Sequence, residues 1–334
     1  MSKAIKNIFP LGFPWQTPDP FLFCVYHQDN YPAGTETLGP APSYLKGRPI
    51  GNDFQKKDGF RMYHGTEVPG FPGHPHRGFE TITIVEQGYA DHSDSMGATG
   101  RFGNGDVQWM TAGKGVMHSE MFPLISSEGP NILELFQIWL NLPRKSKMVE
   151  PHYKMLWNED IPVHKTDGVE VKVVAGDFKD SSALNPTPDS WAADPVSEVG
   201  VWLISIPENG KVNLPSCSAD CNRSIYLYEG EKLSVQGVEL TVNHGAELLS
   251  GAVNLENKSS SAKVLVLQGR PIGEPVVQHG PFVMNTEGEI RAAIMDYQKD
   301  QFGGWPWPKY EHVHPRDAGR FAKYADGAVE KRGD

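Results

Sequence analysis

The chain reads as an all-β protein, two antiparallel barrels in succession followed by a single C-terminal helix. Three observations lead there. Short β-branched runs punctuated by glycine recur through residues 81–142, a second block with the same order of features begins near Val169, and helical periodicity is weak before residue 286. At 334 residues the polypeptide exceeds what one core ordinarily supports and fits two domains.

In the first block, residues 81–87 form a strand that Gly88 ends, and Gly97, Gly100, Gly103 and Gly105 mark further turns. Residues 106–110 form another strand before the glycine-bearing turn at 111–115. The second block echoes this order. Residues 225–230 (IYLYEG) stand beside 82–88 (ITIVEQG), and 244–251 (HGAELLSG) beside 104–113 (NGDVQWMTAG), which predicts a duplicated barrel. Between them, residues 142–151 are polar and proline-bounded, as linkers are, and the basic run Arg144, Lys145, Ser146, Lys147 reads as solvated. Thr286 and Glu289 have capping-box spacing ahead of Ile290, Ala293, Ile294 and Tyr297, so one helix is expected, ending near Gly303 and Gly304. The tail, with Trp305 and Trp307, is expected to be irregular and draped over the surface. The predicted division is a metal-binding domain at 1–145, a metal-free domain at 146–304 and a tail at 305–334.

The chemistry concentrates in two pairs, His74 with His76 and His118 with Glu120. Side chains two apart on a strand share a face. If the strands between them curl into a barrel, three imidazoles and a carboxylate converge on one metal ion, and open positions on that ion make the site catalytic. Counting along the echo, the corresponding places in the second half hold Ser216, Ser218, Glu256 and Lys258, so one metal per chain is expected, in the N-terminal half. Other histidines read as bland: His92 in a loop, with an approach to the site as the alternative, His279 in local hydrogen bonding, His312 and His314 in the tail with no partner pair. Cys217 and Cys221 read as ordinary thiols, with a redox pair as the alternative.

Composition narrows the function classes. A formal net charge of -10 argues against direct nucleic-acid binding, which rests on Lys and Arg displacing counterions. No run of eighteen apolar residues suggests a membrane span, and the opening MSKAIKNIFPLGFPW does not read as a secretory signal. Three cysteines, Cys24, Cys217 and Cys221, are too few for a disulfide framework, so a reducing cytoplasmic home is expected.

Residues 74–81 (HPHRGFET), 108–115 (QWMTAGKG), 147–151 (KMVEP) and 280–285 (GPFVMN) together resemble the pirin family of the cupin superfamily, over roughly residues 67–300. The resemblance implies two cupin barrels, each a double-stranded β-helix or jelly roll, with one metal, usually iron, in the first. Carried over by motif, the metal ligands are His74, His76, His118 and Glu120, with Glu80 in a supporting role. It also implies a quercetinase-type dioxygenase acting with O2 on a flavonol-like aromatic, with Glu120 as the catalytic base and Phe71 and Phe79 as candidates for packing the substrate. The alternative is an iron-dependent redox sensor that binds a protein partner. Fe(II) suits the donor set, and Cu, Ni, Co, Mn or Zn could substitute. The segment from Phe23 to Phe71 is longer than the family pattern expects. It either covers the barrel mouth or lies remote from it.

Overall fold

The computed structural model describes residues 4–333; the first three residues of the stretch read for a leader, and Asp334, lie outside them. The β-rich expectation holds, but the compact units are not the linear division at 145 and 304. One unit takes the chain up to Val25, Ile138–Pro143 and Glu159–Gly273; the other takes Tyr26–Gln137, Arg144–Asn158 and everything from Glu274 on. Strand pairing is the physical reason. Ile5–Pro10 pairs antiparallel with His244–Leu248, and Arg320–Lys323 pairs with Thr99–Gly103, so each chain end completes a sheet far from it in sequence.

The histidine-bearing unit is built from two antiparallel sheets. In one, the order is Val329–Arg332, Arg320–Lys323, Thr99–Gly103, Tyr89–Asp94, Val116–Met121, Gly70–His76. In the other, His152–Leu156, Val107–Thr111, Phe79–Gln87, Asn131–Asn141 and Phe21–Tyr31 follow one another. Val85, Leu133, Leu135 and Met155 of the second sheet pack with Ala90, Phe102 and Ala322 of the first. These contacts close the layers on each other.

The second unit repeats the plan with a different interior. Its seven-stranded and four-stranded sheets enclose Val171, Trp202, Ile225, Leu255, Val264 and Val266, none more than 1% exposed. Each such side chain contributes about 1.5–3 kcal/mol by leaving water. Ser218 hydrogen-bonds Glu198, and Glu256 pairs with Lys211, so the echo positions form no ligand cluster.

The helix spans Glu287–Asp300. Thr286 Oγ1 accepts from Glu289 N at 3.2 Å, and the Glu289 carboxylate accepts from Asn285 N at 2.9 Å. Two expectations need correction. Lys147 is not solvated: its Nζ is buried and donates to Gly78 O at 2.7 Å and Val283 O at 3.0 Å, two carbonyls that keep the charge hydrogen-bonded away from water. The tail is not irregular throughout, since Arg320–Lys323 and Val329–Arg332 extend a sheet. Arg320 secures it by donating to Asp106 Oδ1 at 2.8 Å.

Candidate metal centre

His74 and His76 lie on Gly70–His76, and His118 and Glu120 on the neighbouring strand Val116–Met121. In the antiparallel register His74 stands opposite His118 and Phe71 opposite Glu120, with a bulge between the two pairs. The bulge adds one residue to the His74 strand and bends it. All three imidazoles meet: their donor nitrogens lie within 4.8 Å of one another, and His74 Nε2 is 3.1 Å from His76 Nε2. Glu120 does not join that group. Its carboxylate is instead held from two strands of the opposite sheet, Thr83 Oγ1 donating to Oε1 at 2.8 Å and Gln137 Nε2 donating to Oε2.

The donor set fits a metal ion. His74 Nδ1 lies 2.9 Å from Pro72 O, which makes Nδ1 the protonated nitrogen and leaves the Nε2 lone pair facing His76. His118 is fully buried with no hydrogen-bond partner on either nitrogen. Such a group costs free energy unless something binds it. Two imidazole nitrogens held about 2 Å from one ion at right angles stand about 3 Å apart, close to the His74 and His76 spacing. Burial pushes the His74 imidazole down to about 4 and holds His76 and His118 well below the ordinary histidine value, so all three are neutral at pH 7, as ligation requires. Burial also raises the Glu120 carboxyl, partly offset by the Thr83 hydrogen bond.

Glu80 is fully buried and accepts from Thr111 Oγ1 at 2.7 Å and Trp109 Nε1 at 3.2 Å. It braces two neighbouring strands. Phe79 is completely buried against His76, whereas Phe71 is half-buried, its ring 6.3 Å from that of His74. The long segment before His74 is not remote. Tyr63 packs on Phe71 at 5.2 Å, His64 and Phe54 lie at 5.8 and 6.4 Å from it, and the Tyr63 hydroxyl donates to Asp29 at 2.5 Å. The tail reaches the same strand. Gly73 N donates to Tyr310 O at 3.0 Å, and a Cβ on Gly73 would sit 2.4 Å from the Tyr310 ring, so a larger residue there would displace that ring. Glu311 accepts from the backbone N–H groups of Thr66 and Glu67, tying tail to segment.

Sequence reasoning missed two residues and set a third aside. Thr83 and Gln137 orient Glu120 from strands far away in the chain. His92 is no loop residue: it lies buried on Tyr89–Asp94, directly across from Glu120, with Nε2 3.2 Å from Asp94 Oδ2 and no partner on Nδ1. A signal was present. Thr81, Thr83 and Gln108 put polar groups on one face of two buried strands, which marks a polar layer inside the barrel.

The sequence profile of Pirin matches residues 48–140, and that of the Pirin C-terminal cupin domain matches residues 201–303. A pirin-like protein of Solanum lycopersicum is 39% identical over 266 residues, covering 77% of this chain and 85% of that protein. This chain belongs to the pirin family. A Pseudomonas aeruginosa pirin relative, provisionally named a quercetin 2,3-dioxygenase, is 39% identical over 236 residues, 69% of this chain and 79% of its own. The crystal structure of quercetin 2,3-dioxygenase from Acinetobacter baumannii superposes with a TM-score of 0.69 at 31% identity, covering 90% of this chain and 96% of that one. As in other pirins, the architecture is a bicupin, and its imidazole cluster lies in the half matched by the Pirin profile. Among the described residues no helix is long and apolar enough to cross a membrane.

Proposed function

We propose that this pirin is a metal-dependent dioxygenase of the quercetinase type, using O2 on a flavonol-like aromatic substrate. One observation carries the reading: three neutral imidazoles, two buried and one half-buried, gather their nitrogens within 4.8 Å, with His118 unpartnered on both. The names of the Pseudomonas and Acinetobacter relatives support the same class of reaction.

His74, His76 and His118 would hold the ion, with Glu120 as the fourth ligand, and Fe(II) suits this donor set. When bound, the metal supplies Lewis acidity toward a substrate hydroxyl and one-electron redox chemistry toward dioxygen. The protein's own part is orientation and proton handling. Pro72 O fixes the His74 tautomer, and Thr83 and Gln137 fix the Glu120 carboxylate in one pose. Each carboxylate oxygen keeps a second lone pair, and burial makes the group more basic than a surface glutamate, so Glu120 is suited to accept the substrate's hydroxyl proton. Phe71, backed by Tyr63 and Phe54, offers an aromatic flank beside His74 on which a planar ring can pack.

The test is anaerobic purification with metal quantitation, then oxygen uptake against a panel of flavonols. The reading predicts uptake that requires the metal and falls at least about a hundredfold in Glu120→Gln, the usual contribution of a positioned base. No uptake with any flavonol, and a Glu120→Gln variant indistinguishable from the parent, would remove it.

A further inference from the structure

Arg223 is a buried cation without a carboxylate partner among the described residues. Its side chain is 1% exposed, Nε donates to Gln268 Oε1 at 2.9 Å, Nη1 donates to Gly251 O at 3.3 Å, and Nη2 meets no acceptor. Neutral acceptors do not balance a charge taken out of water. The groups whose negative charge reaches it are Cys217, Cys221 and Glu198. Glu198 is already engaged: it accepts from Ser218 N and from Arg270 Nε, each at 3.0 Å, and Arg270 also faces Asp220 at 3.4 Å. That leaves the two thiols.

They are not equivalent. They lie at the two ends of one short turn, and Cys221 is buried, its Sγ donating to Asn222 O at 3.4 Å. Cys217 is only half-buried. A tight turn holds the pair, with Cys217 N donating to Ser250 O at 2.8 Å and Cys221 N to Ser218 O at 3.0 Å. The neighbouring Cys221 thiol and the Arg223 guanidinium both favour an anion on Cys217, whose thiol falls to about 7 while that of Cys221 is driven up. A reachable thiolate backed by a buried thiol is the arrangement of an attacking and a resolving cysteine.

We propose that Cys217 and Cys221 are a dithiol that a hydroperoxide closes into an intramolecular disulfide, with Cys217 the attacking sulfur. The Cys217 thiolate takes the terminal peroxide oxygen as the O–O bond breaks, giving a sulfenic acid and, for hydrogen peroxide, a hydroxide that leaves as water. The Cys221 sulfur then attacks Cys217, the S–O bond breaks, the S–S bond forms, and a second water carries off the oxygen. The two thiols lose two electrons in all and the peroxide gains them. This site belongs to the second unit and does not depend on the proposed dioxygenase chemistry.

The test uses the full-length reduced chain and hydrogen peroxide. Intact mass should fall by two hydrogens, peptide mapping should join Cys217 to Cys221, and reductant should reverse both. At pH 7 Cys217 should alkylate at least about tenfold faster than Cys221, in line with its larger thiolate fraction. Cys24, fully buried with its thiol raised by burial, should not react and serves as an internal control. In Cys221→Ser, dimedone should trap a sulfenic acid at Cys217; in Cys217→Ser, neither product should form. Thiols that stay reduced, a bond that joins two chains, or first reaction at Cys24 or Cys221 would overturn the proposal. The parent-chain measurements decide it even where a variant fails to fold.

Discussion

Replacing His118 by Leu should stabilise the metal-free chain while abolishing its response to metal. The imidazole is fully buried and leaves two polar nitrogens without partners. Each unsatisfied buried group costs roughly 1–3 kcal/mol. Leucine is of comparable size and carries no polar atom, and its different shape costs up to about 1.5 kcal/mol. The net expectation is a gain of at least about 0.5 kcal/mol in the unfolding free energy of the metal-stripped protein. The parent, at a free metal concentration one hundred times its dissociation constant, should gain about 2.7 kcal/mol from binding, and the variant almost none. Urea unfolding of both proteins, with chelator and with Fe(II) under anaerobic conditions, gives all four free energies. If the stripped variant is less stable than the stripped parent, and metal still stabilises it equally, His118 is an ordinary core histidine and the reasoning fails.

Acid should destabilise the metal-free chain in a defined window. The His74 imidazole titrates near 6.5 when unfolded and near 4 when folded, so between those values the unfolded state binds a proton the folded state refuses. Stability should therefore be flat above about pH 6.5 and fall toward pH 4, by up to about 3 kcal/mol for this group alone; urea midpoints that do not move across that range contradict it. Glu80→Gln should keep one metal per chain whereas Glu120→Gln should weaken metal binding about tenfold or more, read by competition with a chelator, and equal effects would reverse the assignment of the two glutamates. Leu255→Ala, in the fully apolar interior of the second unit, should cost roughly 2–5 kcal/mol with no loss of metal stoichiometry, and a cost below about 1 kcal/mol would show that interior to be loosely packed.

The strand periodicity of two made the histidine cluster legible, because His74 and His76 needed only local alternation to share a face, and the neighbouring strand brings His118 to them. The helix was equally legible, since Thr286, Glu289 and the apolar positions that follow are neighbours in sequence. What escaped was long-range. The bulge between Phe71 and His74 depends on pairing with Val116–Met121, and the pose of Glu120 depends on Thr83 and Gln137. Lys147 looked like a solvated charge because its two carbonyl partners, Gly78 and Val283, lie 69 and 136 residues away. For the same reason the tail strands were invisible: Arg320–Lys323 alternates too briefly to declare itself until Thr99–Gly103 presents an edge.

X-ray absorption on the iron-loaded chain, with and without a bound flavonol, addresses the metal site most directly. The account predicts one ion per chain, outer-shell scattering from three imidazoles, and a change in the oxygen donors when the flavonol is added. Two ions per chain, or a spectrum without histidine scattering, would contradict it.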